Sequence, residues 1–287
     1  MIEHIYNTFE HLRDWRSLAV YAHQFADFAA AIHRKGAPAR NIVGFVDGKL
    51  QHLARPGRYQ SVLYNGNDCV HGFKWQGAPC RCHRAHPALP LPSPLASPDL
   101  AGVVLPNGMQ PFPFGPICGS NHDAFMLQRS QLLEAMARIA SFLGWAYALY
   151  GDLAYPNGLY LHRPFDMPDA GSWQVPLSPH LSTAPLLSLY SAPPDLCWQE
   201  DSNIAMSGLR VSVEWGFGKI TGLFQYLNHE ENLRLFLQPV GLYYPVANIL
   251  ANCHTTLYGS QTGDYFGVQR PSLEDYLNGV ILGAAGS

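Results

Sequence analysis

Two short apolar runs that each end in an aspartate restrict the folds open to this chain. Residues 41–48 are Asn-Ile-Val-Gly-Phe-Val-Asp-Gly, and residues 147–152 are Tyr-Ala-Leu-Tyr-Gly-Asp. Runs of this length, apolar throughout and bounded by turn residues, predict strands that are buried in a sheet. Because such strands need helices packed over them, the sequence predicts an α/β fold.

Four longer stretches with apolar residues at helical intervals fit this fold class. These stretches are residues 2–34, 123–143, 203–223 and 229–258. The third is weakened by Gly216 and Gly218, and the fourth is a helical hairpin broken near Pro239. Between the two predicted strands, Asn107-Gly108 predicts a β-hairpin with a primed turn.

Composition and charge exclude several classes of protein. Hydrophobic residues make up 47% of the 287 residues, which is enough for a core and excludes general disorder. The net charge of −3 supplies no overall positive field, so any DNA binding needs local positive charge or a partner. No apolar stretch predicts a membrane span, and six irregularly spaced cysteines favour reduced thiols inside the cell.

Two segments of 25 residues differ from the rest of the chain. Residues 78–102 and 175–199 are rich in Pro, Ser, Leu and Ala and lack both helical and strand periodicity. Removing the first joins Gly77 to Val103 in one strand-turn-strand sequence, and removing the second joins Trp173-Gln174 to Glu200. We interpret both as translated introns that kept the reading frame; two genuine surface insertions are the alternative.

Three acids are candidates for chemistry. Asp47 and Asp152 follow the two apolar strands, and Glu214 lies on the third predicted helix. A carboxylate at the end of a strand is exposed while its backbone stays fixed, which suits the hard oxygen ligation of Mg²⁺. Taken singly, each acid is also an ordinary cap or turn residue.

Five short motifs contain or surround these acids. They are VDGK at 46–49, GSNHD at 119–123, GDLAYP at 151–156, the pattern NxxMSxxRxxxEWGFGK at 203–219, and NILANCH at 248–254. In this order they resemble the DDE transposase domain of the PIF/Harbinger superfamily and its domesticated nuclease relatives, over about residues 41–275. Between Asp152 and Glu214 lie 61 residues, or 36 without the second segment, and the shorter separation is nearer that of the family.

The resemblance implies a ribonuclease H-like mixed sheet flanked by helices, with Asp47 on the first strand, Asp152 on the fourth and Glu214 on a helix beside them. Together the three acids would hold two Mg²⁺ or Mn²⁺ ions about 3.5–4 Å apart for phosphodiester cleavage and attack by a DNA 3′-end. The expected domains are a truncated helical region at 1–40, a catalytic domain at 41–260 with the two insertions, and a tail at 261–287. Expected partners are DNA in the nucleus and a separate Myb-like protein; a homodimer is also open, and no membrane is expected.

Arg210 and Lys219 are the candidate cationic groups of this site. Arg210 lies four residues before Glu214, so it either clamps a phosphate or orients Glu214; an ordinary helix ion pair is the alternative. Lys219 either contacts the DNA backbone or lies on a solvated helix face. A domesticated or degenerate module that binds DNA or protein without catalysis is the alternative to the nuclease.

Three polar residues are candidate supports of the acids. His122 and Asp123 either support the metal site or open a helix, with Asp123 as its cap. Asn203 is expected to form hydrogen bonds near the site. A zinc site at Cys80-x-Cys82-His83-x-x-His86 is a competing interpretation with a spacing unlike that of known zinc sites.

Overall fold

A computed structural model describes residues 1–13, 15–66, 69–75, 102–111, 114–118, 123–166, 194–235 and 237–279. Its helices are α1 Ile2–Thr8, α2 Trp15–Ala19, α3 Phe25–Arg34, α4 Gln60–Leu63, α5 Asp123–Ser130, α6 Leu132–Leu143, α7 Pro194–Leu223, α8 Val240–Tyr258, α9 Gln261–Phe266 and α10 Leu273–Asn278. Its strands are β1 Ile42–Asp47, β2 Lys49–His52, β3 Tyr64–Asn65, β4 Val70–Trp75, β5 Gly102–Val104, β6 Ile117–Cys118, β7 Ala148–Tyr150 and β8 Leu161–His162. The fold is mixed α/β, as predicted.

A four-stranded mixed sheet forms the centre of the fold, in the order β5-β1-β7-β8. Strand β1 pairs antiparallel with β5 and parallel with β7, and β7 pairs parallel with β8. The first five residues of β1 are buried because helices cover the sheet, with α3 and α7 both packed on β1. The first predicted strand is therefore the central strand of this sheet.

The pairing of β1 and β2 with β4 and β5 gives a structural measure of the first inserted segment. Asp47 pairs with Gly102 and Lys49 pairs with Trp75, so a single residue, Gly48, separates the two pairs on one side. On the other side 26 residues, 76–101, separate them. The surplus is therefore 25 residues, which is the length of the segment that composition alone marked as foreign. Strands β4 and β5 behave as one strand into which 25 residues are inserted.

A turn forms at Asn107-Gly108, but it is not of the primed type, and among the described strands β5 pairs with β1 and not with a strand that follows the turn, so the predicted hairpin is not observed. The N–H of Gly108 donates to the carbonyl of Leu105, and the N–H of Leu105 donates to the carbonyl of Met109. Together these two bonds close a three-residue loop. Gly108 alone has a positive φ, of 79°, whereas a type I′ turn needs two such residues. A Cβ on Gly108 would lie 1.8 Å from Ser260 Oγ, so close packing also requires glycine here.

The N-terminal helices and the C-terminal tail share one core with the sheet. Phe25, Phe28 and Ile32 of α3 belong to the same buried cluster as Phe45 of β1 and Phe266 of α9. The expected division into a helical region at 1–40 and a tail at 261–287 therefore does not correspond to separate cores in the described residues.

Helix α7 begins earlier than the sequence indicated. It starts at Pro194, so residues 194–199 belong to α7, and the prediction that they are part of an irregular foreign segment is wrong for these six residues. The helix also continues unbroken through Gly216 and Gly218. A Cβ on Gly216 would lie 3.0 Å from Val104 Cγ2, so this glycine allows the helix to approach β5 closely.

Two other helix predictions need correction. The predicted helix over 123–143 is divided into α5 and α6 by Gln131, whose φ is 54°. In the described part of its first half, the predicted hairpin over 229–258 has one short 3₁₀ turn, Glu230–Asn232, instead of an α-helix, and α8 begins at Val240. Proline and glycine near residue 240 therefore mark a helix start rather than a break inside a hairpin.

Candidate active site at the edge of the sheet

Asp47 and Asp152 lie beside each other at one edge of the central sheet. Strands β1 and β7 are parallel, and Phe45 pairs with Tyr150. Each aspartate follows its paired residue by two positions, so both lie at the same end of two neighbouring parallel strands. The structure thus brings together two predicted site residues that are 105 positions apart.

Local hydrogen bonds hold both carboxylates. Asp47 Oδ1 accepts from the N–H of Gly48 at 2.9 Å, and Asp152 Oδ1 accepts from the N–H of Ala154 at 3.0 Å. The second bond is part of a turn that returns the chain onto Tyr155, which is buried. A Cβ on Gly151 would lie 2.6 Å from the Tyr155 ring, so the turn that carries Asp152 depends on glycine.

Arg210 reaches across from α7 to the end of the central strand. Its Nη1 donates to Asp47 Oδ2 at 3.0 Å, and the two side chains are 30% and 16% exposed. Helical spacing and the motif resemblance predict Glu214 or a phosphate as the partner of Arg210. In this structure its partner is Asp47, because α7 packs on β1 and β5 with Arg210 beside the strand end.

Glu214 lies one helical turn beyond Arg210 and is exposed. Asn203, Arg210 and Glu214 recur at intervals of seven and four residues, so they share one flank of α7. The buried residues Leu209, Val213 and Ile220 form the adjoining face. Within the described ranges, no group of three or more His, Cys, Asp or Glu side chains is placed to hold a metal ion.

The charges and the donor atoms of this edge suit a hard divalent cation. Asp47 and Asp152 offer carboxylate oxygens from fixed strand ends, which are the ligands that Mg²⁺ takes in proteins. The four candidate residues Asp47, Asp152, Glu214 and Arg210 together carry a formal charge of −2. Arg210 offsets part of the repulsion between the two aspartates.

Asn203 and Lys219 have structural contacts. The Asn203 side chain accepts from the N–H of Phe165 at 2.8 Å and donates to its carbonyl at 3.0 Å, which fixes the segment after β8. Lys219 Nζ donates to Thr255 Oγ1 and to the carbonyl of Gly259, at 2.9 and 2.6 Å. Burial lowers the pKa of Lys219, with a further lowering by the nearby charge of Arg270. Lys219 thus joins α7 to α8 and does not lie on a solvated face.

The structure describes only some of the remaining predicted site residues. Asp123 is the first residue of α5, in agreement with the predicted helix start. His122, and the cysteines and histidines of the competing zinc interpretation at 80–86, lie outside the described residues. The motif at 248–254 has a packing role: the amides of Asn248 and Asn252 both donate to the carbonyl of Gln110, each at 3.0 Å.

A cavity of about 200 Å³ is lined by Tyr150, two residues before Asp152, and by Asn203 of α7, and no motif in the sequence predicts it. It lies between β7, β8 and the first turns of α7, and its rim includes the partly exposed rings of Phe165 and Trp198. Burial raises the pKa of Tyr150 to about 12, against an opposing effect of Arg210, and burial lowers the pKa of His162. The only signal in the sequence was the cluster of aromatic and basic residues at 160–165 directly after the GDLAYP motif.

Comparisons with known proteins add no further information on this site. No family model, curated protein or solved structure matches the chain. Among the helices with described residues, none combines the length and apolar character needed to cross a membrane.

Proposed function

We propose that this protein is a divalent-metal-dependent DNA endonuclease or transposase domain of the DDE type, with a ribonuclease H-like fold. The observation that carries the proposal is the position of Asp47 and Asp152 at neighbouring ends of two parallel strands. The motif resemblance points to the same two acids independently of the strand pairing. Under this proposal the natural substrate of the protein is DNA, and the protein acts in the nucleus.

The order of the strands supports the ribonuclease H-like fold. If β1 and β2 count as one strand, and β4 and β5 as another, the main strands run 3-2-1-4-5 across the sheet, with β6 third, β7 fourth and β8 fifth. The minor strand β3 is left out of this count. The first acid then ends the first half of strand 1, and the second acid follows strand 4, as the resemblance predicts.

Asp47, Asp152 and Glu214 would hold Mg²⁺ or Mn²⁺, the third acid from the flank of α7 that Arg210 also occupies. When bound, the ions supply activation of a water or a 3′-hydroxyl and stabilisation of charge at the phosphodiester. If Asp47 holds a metal ion, Arg210 would be released from its ion pair with Asp47. The free guanidinium would then be suited to bind a phosphate oxygen of the DNA.

A second candidate is a DNA- or protein-binding module that has lost catalysis. The observation that favours it is the ion pair between Arg210 and Asp47, in which a protein cation lies against a ligand carboxylate. Under this alternative the pair is permanent and the acids serve only the fold. The two candidates differ in whether the protein cleaves DNA and needs its three acids to do so.

Nicking of supercoiled plasmid in the presence of Mn²⁺ tests the proposal. We expect the wild-type chain to nick the plasmid and Glu214→Gln to lose the activity, since one ligand is removed from an exposed position without disturbing the core. Glu200→Gln is the matched control, because Glu200 is another exposed glutamate on α7. Equal nicking by wild type and Glu214→Gln would indicate a contaminating nuclease and contradict the proposal.

A further inference from the structure

The cavity beside the acids has the shape and lining of a site for one planar ring. Its volume of about 200 Å³ is small, and Ile42, Tyr150 and Met206 form its apolar floor. At its rim the rings of Phe165 and Trp198 lie 5.3 Å apart at 60°, and they are 37% and 55% exposed. Partly exposed aromatic rings of this kind are where bases stack in proteins that bind single strands.

The rim of this cavity is held in place by polar contacts. Asn203 fixes both backbone polar groups of Phe165, so the ring is carried by a rigid segment. Arg163 donates to the carbonyl of Leu153 at 3.2 Å, which ties the cavity wall to the turn that carries Asp152. His162 supplies ring nitrogens to the lining, next to the amide of Asn41 at 3.5 Å.

The cavity adjoins the acids along both elements that form it. Tyr150 precedes Asp152 by two residues on the sheet, and Met206 precedes Arg210 by four residues on α7, which is about 6 Å along the helix. A base inside a duplex cannot enter such a cavity, so its occupant has to be unstacked.

We propose that this cavity binds one unstacked base of a DNA strand whose phosphodiester lies at Asp47 and Asp152. The inference rests on the proposed function for its choice of DNA as the ligand. Because the net charge of the chain is −3, no overall positive field attracts the DNA phosphates, and the stacking contact carries a large share of the affinity.

The test uses the full chain and a single-stranded oligonucleotide containing 2-aminopurine, at low salt and in EDTA so that no metal is needed. We expect the fluorescence of the base to be quenched on binding and Trp198→Ala to weaken the affinity about tenfold. Trp198→Phe should restore most of the loss, because a ring is retained. Trp145→Ala is the matched control, since Trp145 is 63% exposed and lies outside the cavity.

Several outcomes would overturn the inference. They are an absence of oligonucleotide binding by the wild type, an equal affinity for Trp198→Ala, and an equal loss for Trp145→Ala. Competition by a free deoxynucleoside monophosphate at the same concentration as the oligonucleotide would also overturn it, by assigning the cavity to free nucleotides. Binding that depends on Trp198, together with a failure of the nicking experiment, would leave the cavity assigned and reject only the nuclease.

Discussion

Arg210 on α7 lies against Asp47 at the end of the central strand, with 3.0 Å between Nη1 and Oδ2. A helix that is remote in sequence therefore neutralises a carboxylate that the sheet alone would leave beside Asp152. Because both side chains are largely shielded, this contact should matter more to stability than a surface ion pair does.

The first prediction concerns the strength of this pair. A double-mutant cycle of Arg210→Met and Asp47→Asn, followed by urea unfolding, should give a coupling free energy of about 1–2 kcal/mol, between the values for surface and buried pairs. The control cycle is Arg163→Met with Asp166→Asn, whose acid is 72% exposed, and its coupling should be under about 1 kcal/mol. A coupling for Arg210 and Asp47 no larger than the control value would contradict the pairing.

The second prediction concerns the inserted segment. Deletion of residues 78–102 leaves Val103 in register with Val46, so we expect a folded protein as stable as the full chain, or more stable by up to about 3 kcal/mol from the removed loop-closure entropy. Thermal unfolding followed by circular dichroism measures this.

Deletion of 78–101 is the matched control for the second prediction. It removes one residue fewer, so every side chain of β5 would have to change faces or a bulge would have to form. We expect this variant to melt several degrees lower than the deletion of 78–102. Equal melting temperatures for the two deletions would mean that the 25-residue surplus has no structural meaning.

The third prediction concerns Tyr150, whose pKa burial raises to about 12 from an ordinary value of 10. Between these values the unfolded chain releases the phenol proton and the folded chain keeps it, so stability falls as the pH rises from 10 to 12. The part of this loss due to Tyr150 should be on the order of 2 kcal/mol at pH 12. Urea unfolding of Tyr150→Phe should lack that part. Tyr258→Phe, which removes the hydroxyl of a side chain that is 74% exposed, should lose stability with pH as the wild type does.

Local patterns in the sequence predict that Asp47 and Asp152 each follow a buried strand, and the motif resemblance implies that the two acids lie together. Each acid ends a continuous apolar run, and such runs become parallel strands inside a sheet, whose ends then meet at one edge. The predicted length of the first insertion also agrees with the strand pairing. The pairing leaves a surplus of 25 residues between β4 and β5, and the composition of the sequence marks the same stretch.

The partner of Arg210 and the start of α7 could not be predicted in this way. Helical spacing relates Arg210 to Glu214, but the contact with Asp47 depends on how α7 packs across β1. Residues 194–199 carry proline and no apolar period, and their helix packs through Trp198 on Phe165. Both features depend on tertiary contacts that no local pattern specifies.

The most direct test of the account is a titration of thermal stability with Mg²⁺ or Mn²⁺. A cation that binds only the folded chain stabilises it by mass action and so raises its melting temperature. At a cation concentration a hundred times the dissociation constant, the free energy of unfolding rises by about 2.7 kcal/mol. We predict a saturable rise for the wild type, a much smaller rise for Asp152→Asn, and an unchanged rise for Asp166→Asn, which removes an exposed aspartate. Absence of a rise in the wild type, or the same rise in Asp152→Asn, would contradict the claim that these acids form a metal site.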